Sequence, residues 1–108
     1  MVRRPGAFHC GTEAAMEVID GKWKVSVLWA LDGQTRRFGE LRRLLGVTEK
    51  VLAAQLRELE ADGIVRREAR DTVPPHVEYS LTPLGDSLNA ALEPLCAWGA
   101  ENVITRVG

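Results

Sequence analysis

Residues 74–85 read PPHVEYSLTPLG, and in this stretch the pattern of a β-strand is followed directly by the pattern of a helix start. Apolar side chains at positions 77, 79 and 81 alternate with polar ones, which is the period of a half-buried β-strand. The alternation ends at Thr82, whose hydroxyl suits a helix N-cap, and Pro83 follows at the first helical position, where its missing N–H costs nothing. The stretch therefore predicts one strand of a β-hairpin that leads directly into a helix.

The length and composition indicate one globular domain. The chain has 108 residues, 45% of them hydrophobic and 27% charged, which suffices for a single domain, residues 1–108, with a modest core. No apolar run is long enough to cross a bilayer, and no basic-then-apolar signal pattern stands at the N-terminus. We therefore expect a cytoplasmic protein with no membrane partner.

The charges are distributed unevenly along the chain. The formal net charge is −1, but residues 36–70 carry nine Lys/Arg against six Asp/Glu, and residues 71–108 carry one against five. A basic middle segment favours contact with nucleic acid, although a mixed, solvated surface is the alternative interpretation.

The first third of the chain, residues 9–35, predicts two helices. Residues 12–20 have a short helical pattern with Thr12 as its expected cap, and Gly21 interrupts it. Residues 22–31 are apolar nearly all round, with Trp29 on the side opposite Leu28, and such a helix is expected in the centre of the domain.

The middle third, residues 36–81, has the element order of a winged helix-turn-helix. A short extended piece precedes a helix over Phe38–Leu45, a second helix runs from a cap at Thr48 to Asp62, and Gly63 is placed as a left-handed stop. The strand Val65–Arg70 then pairs with the strand of the opening stretch to form the wing. We therefore predict a mainly α fold with a small β-hairpin, in which the second helix of the motif enters the DNA major groove.

Steps of 100° per residue define the DNA-facing side of this second helix. With Leu52 in the core, the opposite side carries Lys50, Ala53, Ala54 and Arg57, which we call the reading face. The two basic side chains can donate to phosphates or guanine edges, and the two alanines permit close approach. Thr48 lies at the helix N-terminus, where backbone N–H groups favour a phosphate.

Further basic residues flank this helix. Those expected to hold the DNA backbone are Arg36, Arg37, Arg42 and Arg43 before the helix. The wing residues suit either a neighbouring minor groove or phosphates, and they are Arg66, Arg67, Arg70 and His76. For any one of them the alternative is a solvated charge or an ion pair, and we expect Arg67 to pair with Glu78 across the hairpin.

The last segment, residues 82–104, predicts a long helix that forms a dimer interface. Its apolar stripe consists of Leu84, Leu88, Ala91, Leu95 and Trp98. The stripe is longer than a domain this small needs to bury internally, which favours a homodimer; the alternative is a helix that lies entirely on its own domain.

Several short motifs together resemble a known family. They are Cys10, IDGKW at 19–23, RFGEL at 37–41, LRELEADG at 56–63, Pro75, VEYSLT at 77–82, Gly85 and Trp98. In order and spacing the chain resembles the HxlR-type family of bacterial winged-helix transcriptional regulators, from Cys10 to Trp98. The resemblance implies a homodimer that binds an inverted-repeat operator near a controlled gene, more often as a repressor.

The two cysteines, Cys10 and Cys96, show no metal-ligand spacing, and in a reducing cytosol free thiols are expected. The resemblance implies that Cys10 matches the reactive thiol of family members that sense oxidants or electrophiles. A thiolate is favoured near a helix N-terminus and basic groups, here Lys22 and Lys24. A disulfide from Cys10 of one subunit to Cys96 of the other is one hypothesis, and a small buried hydrophobic residue is the alternative for Cys10.

Other functions lack sequence support. The chain has no paired-carboxylate signature, nucleophile elbow or phosphate-binding glycine loop, so we expect no enzyme activity and no cofactor. His9, Cys10, His76 and Cys96 could meet at a metal ion, but exposed histidines and no metal are the expectation. The competing function is a winged-helix protein-interaction module without specific DNA binding.

Overall fold

The computed structural model describes residues 8–104, so the ends of the predicted domain lie outside the described part. Its elements are α1 (Gly11–Val18), α2 (Lys24–Ala30), β1 (Arg36–Arg37), α3 (Phe38–Leu45), α4 (Glu49–Ala61), β2 (Val65–Arg70), β3 (His76–Leu81), α5 (Pro83–Gly99) and a π-helical segment, Ala100–Ile104. The mainly α architecture with a small antiparallel sheet confirms the predicted winged helix-turn-helix. No helix among residues 8–104 is both long and apolar enough to span a membrane.

Local signals set the helix-turn-helix. Gly46 ends α3 with φ +67°, a left-handed conformation that an L side chain rarely adopts. Thr48 then caps α4, and its Oγ1 accepts a hydrogen bond from the Val51 N–H at 3.2 Å. Gly63, with φ +74°, follows α4 as predicted, and the Ile64 N–H folds back to donate to the Leu59 carbonyl at 2.9 Å.

The wing belongs to a three-stranded sheet rather than to an isolated hairpin. The strand order is β1-β3-β2, so the two residues of β1 pair with the second edge of β3. Sequence patterns predicted the β2–β3 hairpin and the extended piece at Arg36, but not their pairing, which joins residues more than forty positions apart.

The predicted Arg67–Glu78 ion pair is wrong. In the register of β2 and β3, Arg67 lies opposite Tyr79, and Glu78 lies opposite Glu68. Successive side chains of a strand point to opposite faces, so Arg67 and Glu78 are on different faces of the sheet.

The core lies between the helices and the inner face of the sheet. Its central side chains are Val27, Leu28, Leu31, Leu41, Leu52, Leu56, Leu59, Ile64 and Val65, closed by Tyr79 and Leu81 of β3. The helix α2 is buried on one side only, because Val25 and Trp29 are exposed, so its expected position in the centre of the domain is wrong. Leu44 of α3 is also exposed, although helical periodicity with Leu41 predicts that it faces inward.

Two helix ends differ from their predictions. The first helix begins at Gly11 with Cys10, not Thr12, in the N-cap position, because the extended backbone ends at Cys10 (φ −155°, ψ 169°). The last helix is capped as predicted by Thr82, whose Oγ1 accepts from the Gly85 N–H at 3.1 Å. It remains α-helical as far as Gly99 and then widens into the π-helical segment, whereas the sequence pattern predicted one long helix over residues 82–104.

Candidate DNA-binding surface

The reading face of α4 has the predicted exposure. Lys50 and Arg57 are exposed, and Ala53 and Ala54 are half-buried between them. The opposite side of the helix is fixed in the core by Leu52, Leu56 and Leu59. The helix therefore presents two cations around a surface of small side chains, which suits close approach to a polyanion. Contact of these four residues and Thr48 with DNA remains a prediction.

The basic residues before α4 are not equivalent. Arg42 and Arg43 are exposed in the last turn of α3, and Arg37 is exposed at its start. Arg36 is partly buried, and its Nε donates to the Ala30 carbonyl at 2.6 Å, which ties β1 to the end of α2. Arg36 therefore has a structural contact that its sequence position did not reveal, and Arg42 and Arg43 are the better placed candidates for phosphates.

Two wing residues that were predicted to contact DNA, Arg70 and His76, belong to an ion-pair network around Glu78. Glu78 accepts from Arg70 Nε and lies next to His76 Nε2, each at 2.8 Å from one of its carboxylate oxygens. These two hydrogen bonds, the one from His76 foremost, lower the pKa of Glu78, and Glu78 in turn raises the pKa of Arg70. The side chains of Arg66 and Arg67 are exposed and make no hydrogen bond within residues 8–104, so these two wing arginines are better placed to contact DNA than Arg70.

The predicted dimer stripe on α5 is divided between the core and solvent. Leu88 is half-buried against its own core, whereas Leu84, Ala91, Leu95 and Trp98 are exposed, with Trp98 at 59%. Exposed apolar stripes are typical of surfaces that bind protein, and the dimer at this stripe remains a prediction.

The structure adds α2 to this apolar surface. Trp29 is 66% exposed, and together with Val25 it faces α5 across an open groove of about 350 Å³. The groove is lined by Val25, Trp29, Asp32, Asp86, Asn89, Ala90, Leu92, Glu93 and Cys96. Sequence reasoning missed this contribution, although apolar residues on both sides of α2 were the signal for it.

Cys10 is exposed, so the alternative of a small buried hydrophobic residue is wrong. The Cys10 thiol makes no capping hydrogen bond to the helix. The backbone N–H of Glu13, and to a smaller extent that of Thr12, nevertheless favours the thiolate and lowers the pKa of Cys10. The expected help from lysines is not found: Lys24 pairs with Glu58, and Lys22 Nζ lies over the Trp23 ring at 5.2 Å. Cys96 is also a free, exposed thiol.

Known proteins match the chain over most of its length. The family model described as HxlR-like helix-turn-helix matches residues 18–106. The chain is 50% identical over 101 residues to the Bacillus subtilis (strain 168) protein named Uncharacterized HTH-type transcriptional regulator YtcD, which covers 93% of this chain and 79% of that relative.

Solved structures share the fold. The reduced form of the redox regulator HypR superposes with a TM-score of 0.81 at 40% identity, covering 92% of this chain and 100% of that one. The reduced form of the transcriptional regulator YodB from B. subtilis gives a TM-score of 0.78 at 28% identity, covering 89% and 96%. With these matches, and with the helix-turn-helix, wing and long last helix in place, the chain belongs to the HxlR-like helix-turn-helix family.

Proposed function

We propose that this protein is a homodimeric DNA-binding transcriptional regulator that represses a gene by occupying an inverted-repeat operator. The observation that carries the proposal is the reading face of α4, where exposed Lys50 and Arg57 flank the small Ala53 and Ala54. A protein-interaction module would more often present an apolar face there.

The exposed apolar surface supports the dimer. Trp98 and Leu95 on α5, with Trp29 on α2, supply large side chains of the kind that anchor protein interfaces. A two-fold axis through this surface would present two copies of α4, which suits half-sites one helical turn apart, about 34–36 Å.

Cys10 supports control by oxidants. Its lowered pKa increases the fraction of the reactive thiolate, and its exposure admits a reagent. In the proposed reaction, Cys10 of one subunit and Cys96 of the other form an S–S bond. The two thiols lose two protons and two electrons to an azo oxidant such as diamide, which is reduced to its hydrazine. The bridge would shift the subunits and change the spacing of the two α4 helices.

A gel-shift experiment tests DNA recognition. The probe is the chromosomal fragment upstream of the gene for this protein, and the control is a fragment of the same length with its sequence shuffled. We expect a complex of dimer stoichiometry that prefers the upstream fragment and weakens steeply as salt rises. Equal binding to both fragments would contradict specific regulation and favour the interaction module.

A second gel-shift experiment tests the thiol. Diamide should abolish or strengthen binding of the wild type to the upstream fragment. The change should occur at the same diamide concentrations that produce a disulfide-linked dimer band on non-reducing electrophoresis. Cys10→Ser should abolish both effects. If the variant responds to diamide as the wild type does, Cys10 is not the sensor.

A further inference from the structure

Lys24 is a charged residue inside the protein. Its side chain is 1% exposed, on the core side of α2, and its Nζ donates to Glu58 Oε1 of α4 at 2.6 Å. A buried ammonium group is very costly without a partner, so this pairing is required once Lys24 lies there. An apolar side chain of similar length would fill the same space and would need no ion-pair partner. Burial alone therefore does not explain why a lysine at this position contacts Glu58 of α4.

The turn before Lys24 makes a second contact with the same helix. Gly21 adopts φ +144°, and a Cβ atom at this position would lie 2.6 Å from Gln55 Oε1. An L side chain rarely adopts this φ, so glycine permits the turn, and its backbone then lies against the end of the Gln55 side chain. Gln55 Oε1 is buried beside this turn and accepts no hydrogen bond within residues 8–104, so the contact between the turn and Gln55 is one of packing.

Both contacts are on one flank of α4. Gln55 and Glu58 are three positions apart and therefore about 60° apart around the helix, whereas Arg57 is about 100° from Glu58, toward the reading face. Side-chain atoms lie about 5–6 Å from a helix axis, so a rotation of about 20° would displace them by about 2 Å. Such a displacement exceeds the tolerance of a hydrogen bond to a base.

We propose that Lys24 is a positioning residue for DNA recognition. Its ion pair with Glu58, together with the Gly21–Gln55 contact, sets the rotation of α4 and so determines how well the operator is distinguished from other DNA. The inference rests on the proposed function, in which α4 reads DNA. Lys24 itself is too deeply buried to contact DNA.

Carboxylate-to-amide substitutions on one helix provide matched variants. Glu58→Gln removes the charge that Lys24 contacts, and Glu60→Gln makes the same charge change at an exposed site on α4. The measured quantity is the ratio of affinities for the upstream fragment and its shuffled control. We expect Glu58→Gln and Lys24→Met each to lower this ratio on the order of tenfold, and Glu60→Gln to keep it within about twofold.

The double variant Lys24→Met/Glu58→Gln tests whether the two residues act through one contact. It should lower the ratio no further than the worse single variant, because both substitutions break the same interaction. A merely structural role would lower stability but preserve the ratio in the folded protein. An unchanged ratio in folded Lys24→Met, a parallel loss of both affinities or additive single effects would overturn the proposal. Should Lys24→Met fail to fold, Glu58→Gln carries the test, because the Glu58 side chain is 54% exposed.

A measurement without DNA separates this inference from the proposed function. Amide hydrogen exchange in the free protein should accelerate in α4 for Lys24→Met and Glu58→Gln, relative to Glu60→Gln, and stay unchanged in β2 and β3. Unchanged exchange in α4 would overturn the positioning role. If the wild type binds both DNA fragments equally, the proposed function fails, and the exchange result alone then decides whether the ion pair orders α4.

Discussion

The chemistry of Cys10 depends on its place at the end of a helix. The residue occupies the N-cap of α1, where backbone N–H groups without helical partners face outward. Negative charge is favoured at this position, and the N–H groups of Glu13 and Thr12 lower the pKa of the thiol from its ordinary value of 9.0. The same thiol in an unfolded chain would lose this effect.

A pH titration of reactivity should detect the effect. In a Cys96→Ser variant, the rate of alkylation by iodoacetamide should rise with a midpoint below 9.0 in the folded protein. The midpoint should return toward the ordinary value in concentrated urea. Because the folded pKa is the lower one, the thiolate stabilises the folded state above the unfolded pKa, and this contribution is lost as the pH falls through the folded pKa. Equal midpoints with and without urea would contradict the assigned N-cap effect.

The junction of β3 and α5 fixes the direction in which the last helix leaves the sheet. The Thr82 hydroxyl donates to the Gly63 carbonyl at 2.6 Å, and the Thr82 N–H donates to the Ile64 carbonyl at 3.1 Å. Gly85, one turn later, is buried against the same Ile64 carbonyl. The start of α5 and the segment between α4 and β2 therefore pack too closely for any side chain at position 85.

Alanine substitutions at two glycines of α5 test this packing. A Cβ at Gly85 would overlap the Ile64 carbonyl oxygen, so Gly85→Ala should reduce the free energy of unfolding by about 1–3 kcal/mol or more. Gly99→Ala is the control, because a Cβ there meets no atom within 4 Å and alanine favours a helix by about 0.5–1 kcal/mol. Urea denaturation measures both. Wild-type stability of Gly85→Ala would contradict the close approach.

The elements that sequence patterns predicted well are those set by local signals. Thr48 and Thr82 cap their helices as predicted, Gly63 adopts the left-handed conformation, and steps of 100° identified the exposed face of α4. The failures involve contacts between distant segments. The pairing of β1 with β3 could not be predicted from a two-residue strand, and the burial of Lys24 depends on a carboxylate 34 positions away.

Strand register and tertiary contacts also determine which of the predicted DNA-binding residues are held by other parts of the fold. Shifting a strand pair by one residue reverses every side chain, so the Arg67–Glu78 pair failed although both residues are in the wing. Charge and spacing placed Arg36, Arg70 and His76 near DNA, but did not reveal that the Ala30 carbonyl and Glu78 bind them. Sequence patterns thus predicted which surface is basic, and the structure indicates which of its cations are held within the fold.

For the whole molecule, the proposed dimer depends on Trp98. Replacing this exposed aromatic anchor by glutamate should weaken dimerisation on the order of thirtyfold or more, as expected for an interface hot spot. Val73→Glu is the control, because Val73 is a fully exposed apolar residue in the loop between β2 and β3. Sedimentation equilibrium measures the dissociation constants. If both variants dimerise like the wild type, α5 is not the interface.

The most direct test of the central claim, that α4 reads DNA, is a fluorescence anisotropy titration of the upstream fragment over a range of salt concentrations. The proteins compared are the wild type, Arg57→Ala and Lys50→Ala. Arg57→Ala should lose about 1–3 kcal/mol of binding free energy on this fragment, because a base contact is removed. A variant that loses a phosphate contact should instead weaken binding to every sequence and reduce the salt slope by about one. If both variants bind the upstream fragment with wild-type affinity, α4 does not read DNA through Lys50 and Arg57.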